Sequence, residues 1–256
     1  MKTIYMLLLV VVLSGLAGGA ALAEEEAADS GPIFRPVEVL ACNYRKGQDR
    51  ADLDRVIEKW NAWMDESKAE PYRAWVYTAH YGSPDYAFDI AWLGAWPDGE
   101  VMGRSTDSWI QNGRAHAAAF DRVVDCNLHA NFVTTQMRKT DRKPPPTSVL
   151  TFSDCKVNEE SSMREVMEAI GDWNDYLVEQ GSVGNEWIFF PVYGGEADYH
   201  FKWVSAHPNH TELGKDYERY ANGGGYQKGQ EMFAGKVKCS TSRVYNAEMV
   251  RDGAPK

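Results

Sequence analysis

Residues 53–64 read Leu-Asp-Arg-Val-Ile-Glu-Lys-Trp-Asn-Ala-Trp-Met, and residues 166–177 read Val-Met-Glu-Ala-Ile-Gly-Asp-Trp-Asn-Asp-Tyr-Leu. In the first stretch Leu53, Val56, Ile57, Trp60, Trp63 and Met64 fall at i, i+3, i+4, i+7, i+10 and i+11, one face of an amphipathic helix. In the second, Val166, Ala169, Ile170, Trp173, Tyr176 and Leu177 hold the same places. Each stretch follows a helix-start pattern, Asp49-x-x-Asp52 and Ser162-x-x-Glu165. The pair Trp60-Asn61 thus recurs as Trp173-Asn174, 113 positions on (173 − 60).

The same offset holds well outside this helix. It relates Cys42 to Cys155, Cys126 to Cys239, Phe120 to Phe233 and Arg138 to Arg251. Within each copy the two cysteines are 84 residues apart. A period this long marks duplicated domains rather than a short-repeat solenoid. Four cysteines allow three pairings, and the repeat favours one bridge per copy, Cys42–Cys126 and Cys155–Cys239. No close Cys-x-x-Cys pair supports a metal site instead.

Residues 1–23 carry an early Lys2, an apolar run over Met6–Val12 and a small-residue end at Ala21-Leu22-Ala23, the layout of a secretory signal. The expectation is an exported protein, periplasmic or extracellular, with oxidised cysteines and no membrane span. Residues 24–34, opening Ala-free with Glu24-Glu25-Glu26, read as a solvated leader. The formal charge of −10 and the lack of any basic run argue against nucleic acid or an anionic membrane as partner.

Around the repeated helix, the pattern predicts strands at Val37–Cys42 and Val149–Cys155, and aromatic strands at Tyr72–Tyr81, Tyr86–Trp96, Trp187–Tyr193 and Tyr199–Ala206. Second helices are expected over about Asp107–Val124 and Leu213–Val237, the latter with a local break at Asn222-Gly223-Gly224-Gly225. Last strands are expected at Asn131–Arg138 and Ser242–Arg251. The fold class is therefore α+β: two tandem βαββαβ ferredoxin-like units, 35–138 and 147–251, packed as a pseudo-dimeric α+β barrel. A charged, proline-rich linker at 139–146 separates them, and 252–256 is a tail.

This doubled layout resembles the dimeric α+β barrel superfamily, fused into one chain. The motifs Cys42-Asn43-Tyr44, Trp60-Asn61-Ala62-Trp63 and Trp92-Leu93-Gly94-Ala95-Trp96-Pro97-Asp98-Gly99 also resemble exported bacterial proteins of unknown function. The superfamily includes cofactor-free monooxygenases, haem-degrading monooxygenases, chlorite dismutase-like haem proteins and members with no known activity. The resemblance thus allows haem as a cofactor without choosing it.

Standard catalytic fingerprints are missing: no Gly-x-Ser-x-Gly, His-Glu-x-x-His, phosphate loop or dinucleotide motif is present. Three constellations remain. If Tyr81 pairs with Tyr86, then Thr78, His80, Ala87 and Asp89 share a polar sheet face, while Trp75, Tyr77, Phe88, Ile90 and Trp92 pack on helices. His80, Asp89, His200 and Lys202 could then meet between the units and move protons, or form a structural polar network. Asn43, Trp92 (or Trp96) and His116 resemble the pocket of haem-degrading superfamily members, in unit one alone, since the second copy has Lys156 and Gly229 in place of Asn43 and His116. Trp60, Asn61, Trp173 and Asn174 either line a ligand space between helix and sheet or serve the core. His207-Pro208-Asn209-His210, with or without His200, reads as a polar loop, because Pro208 keeps the histidines off a regular helix, and no metal site is assigned. The expected function is a module binding a small apolar or aromatic ligand, or a protein; the alternative is a monooxygenase-like enzyme centred on Asn43, Trp92 and His116.

Overall fold

The computed structural model describes residues 32–82, 88–141 and 145–253. The expected signal at 1–23, the turn residues 83–85 with Tyr86 and Ala87, part of the linker and the end of the tail lie outside the described residues. The elements run β1 (Phe34–Tyr44), α1 (Arg50–Glu66), β2 (Arg73–Tyr81), β3 (Ile90–Ala95), α2 (Gly99–Asn112), α3 (Arg114–Phe120) and β4 (Val124–Arg138). The C-terminal half follows with β5 (Thr147–Val157), α4 (Met163–Glu179), β6 (Asn185–Tyr193), β7 (Phe201–His207), α5 (His210–Ala221), α6 (Gly225–Phe233), β8 (Val237–Cys239) and β9 (Arg243–Asp252).

The strands pair in the order β7-β6-β4-β1-β3-β2-β9-β5, and β5 also pairs with β7, so eight antiparallel strands close into a barrel. The short β8 extends the sheet alongside β5. Within the halves the orders are β4-β1-β3-β2 and β9-β5-β7-β6. Two edges join the halves: β2 to β9, with Thr78 opposite Asn246, and β4 to β6, with Val133 opposite Phe190. The expected sheet-on-sheet packing is thus realised edge to edge, as one closed sheet whose inner face becomes a single core.

That core is full. Val37, Tyr77, Leu93, Phe132, Phe152, Phe189, Val204 and Tyr245 are buried together inside the barrel. The Phe152 ring meets Phe189 at 6.0 Å and Tyr245 at 5.6 Å, both nearly perpendicular, the edge-to-face arrangement favoured by the ring quadrupole. On the outer face the helices of each half cover their own strands. Leu53, Ile57, Trp60 and Met64 of α1 pack with Ala74, Val76 and Ile90. Val166 and Ile170 of α4 pack with Cys155, Ile188 and Phe201.

The two repeated helices form where their pattern places them. Capping boxes at Asp49/Asp52 and Ser162/Glu165 satisfy their first backbone N–H groups. The second helix differs from expectation in both halves. In the first it begins at Gly99, since the Asp98 side chain accepts from Val101 N–H at 2.8 Å, and it breaks at Gly113. There a Cβ would lie 2.3 Å from the Trp109 ring. In the second it begins at His210 and ends at Phe233, and the expected break falls at 222–224, where Gly224 takes the left-handed φ of 84° that glycine tolerates.

The β2–β3 register corrects the expected faces. Tyr77 sits opposite Ala91 and Val76 opposite Trp92, one residue off a Tyr81–Tyr86 pairing. A one-residue change of register moves a strand's side chains to the opposite face. Trp75 and Tyr77 therefore face the barrel interior, and Val76, Ile90 and Trp92 face the helices; Phe88, which precedes β3, also packs inside.

Both disulfides join residues directly opposite on paired strands, Cys42–Cys126 and Cys155–Cys239. Cys126 lies on β4, which begins at Val124, and not at the end of a helix. Among the described residues no helix is long and apolar enough to cross a membrane. Each bridge closes 84 residues of chain, so replacing Cys42 and Cys126 together by alanine is expected to lower unfolding stability by about 2–4 kcal/mol. Urea denaturation of the oxidised protein and of the double variant measures it.

Candidate functional site

Under the N-terminal helices, Trp92 Nε1 donates to Tyr72 Oη at 2.8 Å, and Tyr72 Oη donates to Glu38 Oε1 at 2.7 Å. The other Glu38 oxygen meets His129 Nε2 at 2.6 Å. A continuous hydrogen-bonded line thus runs from a part-buried indole through a buried phenol to a side chain that is 62 % exposed. Gly94 makes room for it, since a Cβ there would lie 1.9 Å from Tyr72 Oη. Burial, helped by the Glu38 charge, holds the Tyr72 hydroxyl well above the usual phenol range. The Glu38 hydrogen bond raises the His129 pKa against the opposing effect of burial. Tyr72, Glu38 and His129 were not among the sequence candidates; the visible signal was one carboxylate, Glu38, in an otherwise apolar strand.

The three sequence candidates of this layer do not converge. Trp92 is committed to Tyr72, while Asn43 Oδ1 accepts from Asp89 N–H at 3.2 Å at the end of β1. His116 stacks on Trp63, with centroids 4.8 Å apart and planes 27° from parallel. The volume between them holds rings: Trp60 lies 5.4 Å from Trp92, 6.0 Å from Tyr72 and 6.3 Å from Phe120.

The C-terminal half handles its own indole differently. Trp203 Nε1 donates to Glu186 Oε2 at 3.0 Å, Ser205 Oγ donates to Oε1 at 3.3 Å, and Arg138 Nη2 lies 3.5 Å from Oε1. Glu186 is 3 % exposed, and burial pushes its carboxyl pKa up against the pull of Arg138 and these donors. Beside it, His207 Nε2 and Ser182 Oγ both bond Asp216 Oδ2.

The repeated Trp-Asn pairs serve packing and strand ends. Trp60 and Trp173 are buried on the apolar stripes of α1 and α4. Asn61 Nδ2 donates to the Val250 carbonyl at 2.8 Å, and its Oδ1 accepts from Arg251 Nη1 at 3.1 Å, so α1 of the first half grips the last strand of the second. Asn174 is buried, and its amide atoms have no partner among the described residues.

His80, Asp89, His200 and Lys202 are dispersed: among the described residues no hydrogen bond, ion pair or ring contact joins any two of them. Asp89 Oδ2 accepts from Tyr44 N–H at 2.7 Å, and His200 Nδ1 accepts from Val157 N–H at 3.0 Å. Both residues also donate their own backbone N–H to a cysteine carbonyl, of Cys42 and Cys155 respectively. They are matching strand-end clasps. Lys202 is drawn to Asp154, which Arg243 also binds, and burial lowers its pKa. His80 instead meets the ring of His210.

Two concavities among the described residues draw on both halves. The first is a groove of about 300 Å³ over the β2–β9–β5 seam. Val76 and Thr78 of β2, Asn246 and Glu248 of β9, and Thr147 and Val149 of β5 line it, together with Arg50 at the start of α1 and Asn209 and His210 at the start of α5. Its side chains are held in place. Arg50 bonds Glu248 and Asp54, each at 2.7 Å, His210 Nε2 bonds Asn246 Oδ1 at 2.8 Å, and Asn209 caps α5 through Glu212 N–H. A wider, open depression lies over Asn61, Asp65, Lys68 and Arg251.

No protein-family model matches the chain, and none of the curated proteins is a significant sequence match. Among solved structures, the chain is similar to a mutant chlorite dismutase from Candidatus Nitrospira defluvii, at 6 % identity over 84 % of this chain and 92 % of that one, with a TM-score of 0.52. It is also similar to a protein provisionally described as a monooxygenase from Lactobacillus acidophilus, at 13 % identity over 86 % and 94 %, TM-score 0.52. A third, provisionally described as a chlorite dismutase, shows 12 % identity over 86 % and 97 %, TM-score 0.52. At these identities the likeness is one of fold: the architecture is that of the dimeric α+β barrel proteins.

The Glu38–His129 pair gives a pH signature. A histidine whose pKa is higher folded than unfolded contributes stability below its unfolded pKa and loses it as pH rises through the folded one. Wild type is therefore expected to exceed His129→Gln in stability at pH 5–6, with the gap closing toward pH 8. Urea midpoints across that range check it; a gap independent of pH would show the pair to be without ionic character.

Proposed function

We propose that the chain is an exported small-ligand-binding module built on a duplicated barrel, with its ligand held in the β2–β9–β5 groove. In this reading residues 1–23 are the export signal, 24–34 a leader, 35–138 and 147–251 ferredoxin-like copies of one unit, 139–146 their linker and 252–256 a tail. The two disulfides support an oxidising, periplasmic or extracellular setting.

The observation that carries the binding reading is where space is left. The barrel interior and both helix–sheet layers are occupied by their own aromatic side chains, whereas the seam groove offers about 300 Å³ edged by Thr78, Ser148, Asn246 and His210. That volume is at the small end of ligand sites. The lining favours a small molecule with an apolar body, facing Val76 and Val149, and polar groups for the threonines and Asn246, in place of the mainly apolar ligand expected from composition. The test is ligand-observed NMR with a library of small polar aromatic fragments. At least one fragment is expected to bind wild type and to weaken about tenfold or more, ~1.4 kcal/mol, in Thr78→Trp, which fills the groove. Fragments that bind both proteins equally would place the site elsewhere.

A second reading, a monooxygenase-like enzyme in the first half, is favoured by one observation, the Tyr72–Glu38–His129 line, which could carry a proton between the buried layer and solvent. Haem does not fit the residues as they stand. His116 is the histidine of that layer and lies flat on Trp63, and the rings of Trp60, Trp92 and Phe120 hold the volume a macrocycle would need. In the second half Trp173, Trp203 and Phe233 do the same. This reading therefore rests on chemistry by Tyr72 and Glu38 without a cofactor, in place of the Asn43–Trp92–His116 centre.

A further inference from the structure

The rings of His80 and His210 lie 4.4 Å apart, centre to centre, with planes inclined at 47°. They come from opposite halves: His80 is near the end of β2, and His210 opens α5. Both are exposed, and His210 is also part of the groove lining. We propose that these two histidines form a binding site for a divalent transition-metal ion of the imidazole-preferring class, such as Cu(II), Ni(II) or Zn(II), at the rim of the groove.

Three observations support the site. The first is spacing. Two imidazoles on one ion, with metal–nitrogen bonds of ~2.0–2.1 Å, place their ring centres about 4.5–5 Å apart when they bind at adjacent positions. The observed separation needs only a side-chain adjustment to reach this, and the 47° inclination is far from the parallel planes of a stacked pair. The second is orientation of the ligand. His210 Nε2 is engaged by Asn246 Oδ1 at 2.8 Å. With the amide oxygen accepting from Nε2–H, the lone pair of His210 is on Nδ1, and a metal-ligating histidine is characteristically fixed in this way through its other nitrogen. Asn246 is in turn anchored on β9, opposite Thr78 on β2, so barrel closure itself sets the pair. The third is pairing: His129, His200, His207 and His116 are engaged by Glu38, the Val157 N–H, Asp216 and the Trp63 ring, not by a second histidine. All four cysteines are in disulfides, so no thiolate outbids an imidazole.

Two protein ligands leave the remaining coordination positions to water or to donor atoms of a molecule in the groove. The metal site does not depend on the groove reading, because it is measured with the metal alone. The experiment is calorimetric titration of the mature, oxidised protein with ZnCl2, with Cu(II) electron paramagnetic resonance reporting nitrogen ligation. The expected result is one equivalent bound, abolished in His80→Gln and in His210→Gln, weakened ~10-fold in Asn246→Ala, and unchanged in His129→Gln. These positions are exposed or part-exposed, and the circular dichroism of each variant verifies its fold. No saturable binding to wild type, or one equivalent that survives in the His80→Gln/His210→Gln double variant, overturns the assignment.

Discussion

The pairing of β2 with β9 and of β4 with β6 is the constraint on which the rest of this structure depends. Either half alone would be a four-stranded sheet with helices on one face and an apolar face, carrying Tyr77, Leu93 and Phe132 or Phe152, Phe189 and Tyr245, turned to water. Closing the sheet buries both faces in one interior and removes the unpaired edges that would otherwise invite association with another chain. It also decides where function can reside. With the inside packed by rings and each helix layer filled by its own tryptophans, the seams between the helix layers are the places where residues of both halves meet at the surface.

Much of this was legible in the sequence, and the reasons differ by element. The helices α1 and α4 were legible because a 17-residue amphipathic stripe with a cap at its start has few other solutions. The disulfides followed from the repeat, and the structure places both pairs in cross-strand register. What failed was register. The faces of β2 and β3 depended on where one turn closes, and a single-residue shift puts Trp75 and Tyr77 inside, while Trp92 keeps its expected place under the helices. That error propagated to the site: His80, Asp89, His200 and Lys202 looked convergent only on the wrong faces. The Trp92–Tyr72–Glu38–His129 line and the His80–His210 contact were illegible for another reason. Their members come from different elements far apart in the chain, and no local pattern records a tertiary approach.

The part-buried Trp92 and Trp203 show how the halves diverged under one requirement. An indole N–H beneath a helix layer needs an acceptor. In the first half Tyr72 provides it, reaching across Gly94, and transfers the demand to Glu38 and then to a solvent-exposed histidine. In the second half Ser205 stands opposite Glu186 where Gly94 stands opposite Ala74, so the acceptor is a carboxylate rooted in the sheet and neutralised by Arg138. The first arrangement ends in solvent and titrates; the second is enclosed. The line that reaches solvent is thus in the first half, where the alternative reading places its chemistry.

The same divergence explains why one seam is open. At the β2–β9–β5 seam, Thr78 lies opposite Asn246, and Thr147 adds a third polar side chain. At the β6–β4–β1 seam, Phe190 lies opposite Val133, and Phe34, 113 residues before Thr147, brings its ring within 6.5 Å of Phe190. Apolar groups gain by closing over one another and excluding water. Threonine and asparagine gain less from apolar contact and need a hydrogen-bond partner, which protein, solvent or a ligand can provide. Among the described residues the barrel interior and both helix layers are packed with aromatic side chains, so the open seam groove, with its mixed apolar and polar lining and adjoining histidine pair, is what supports the binding reading.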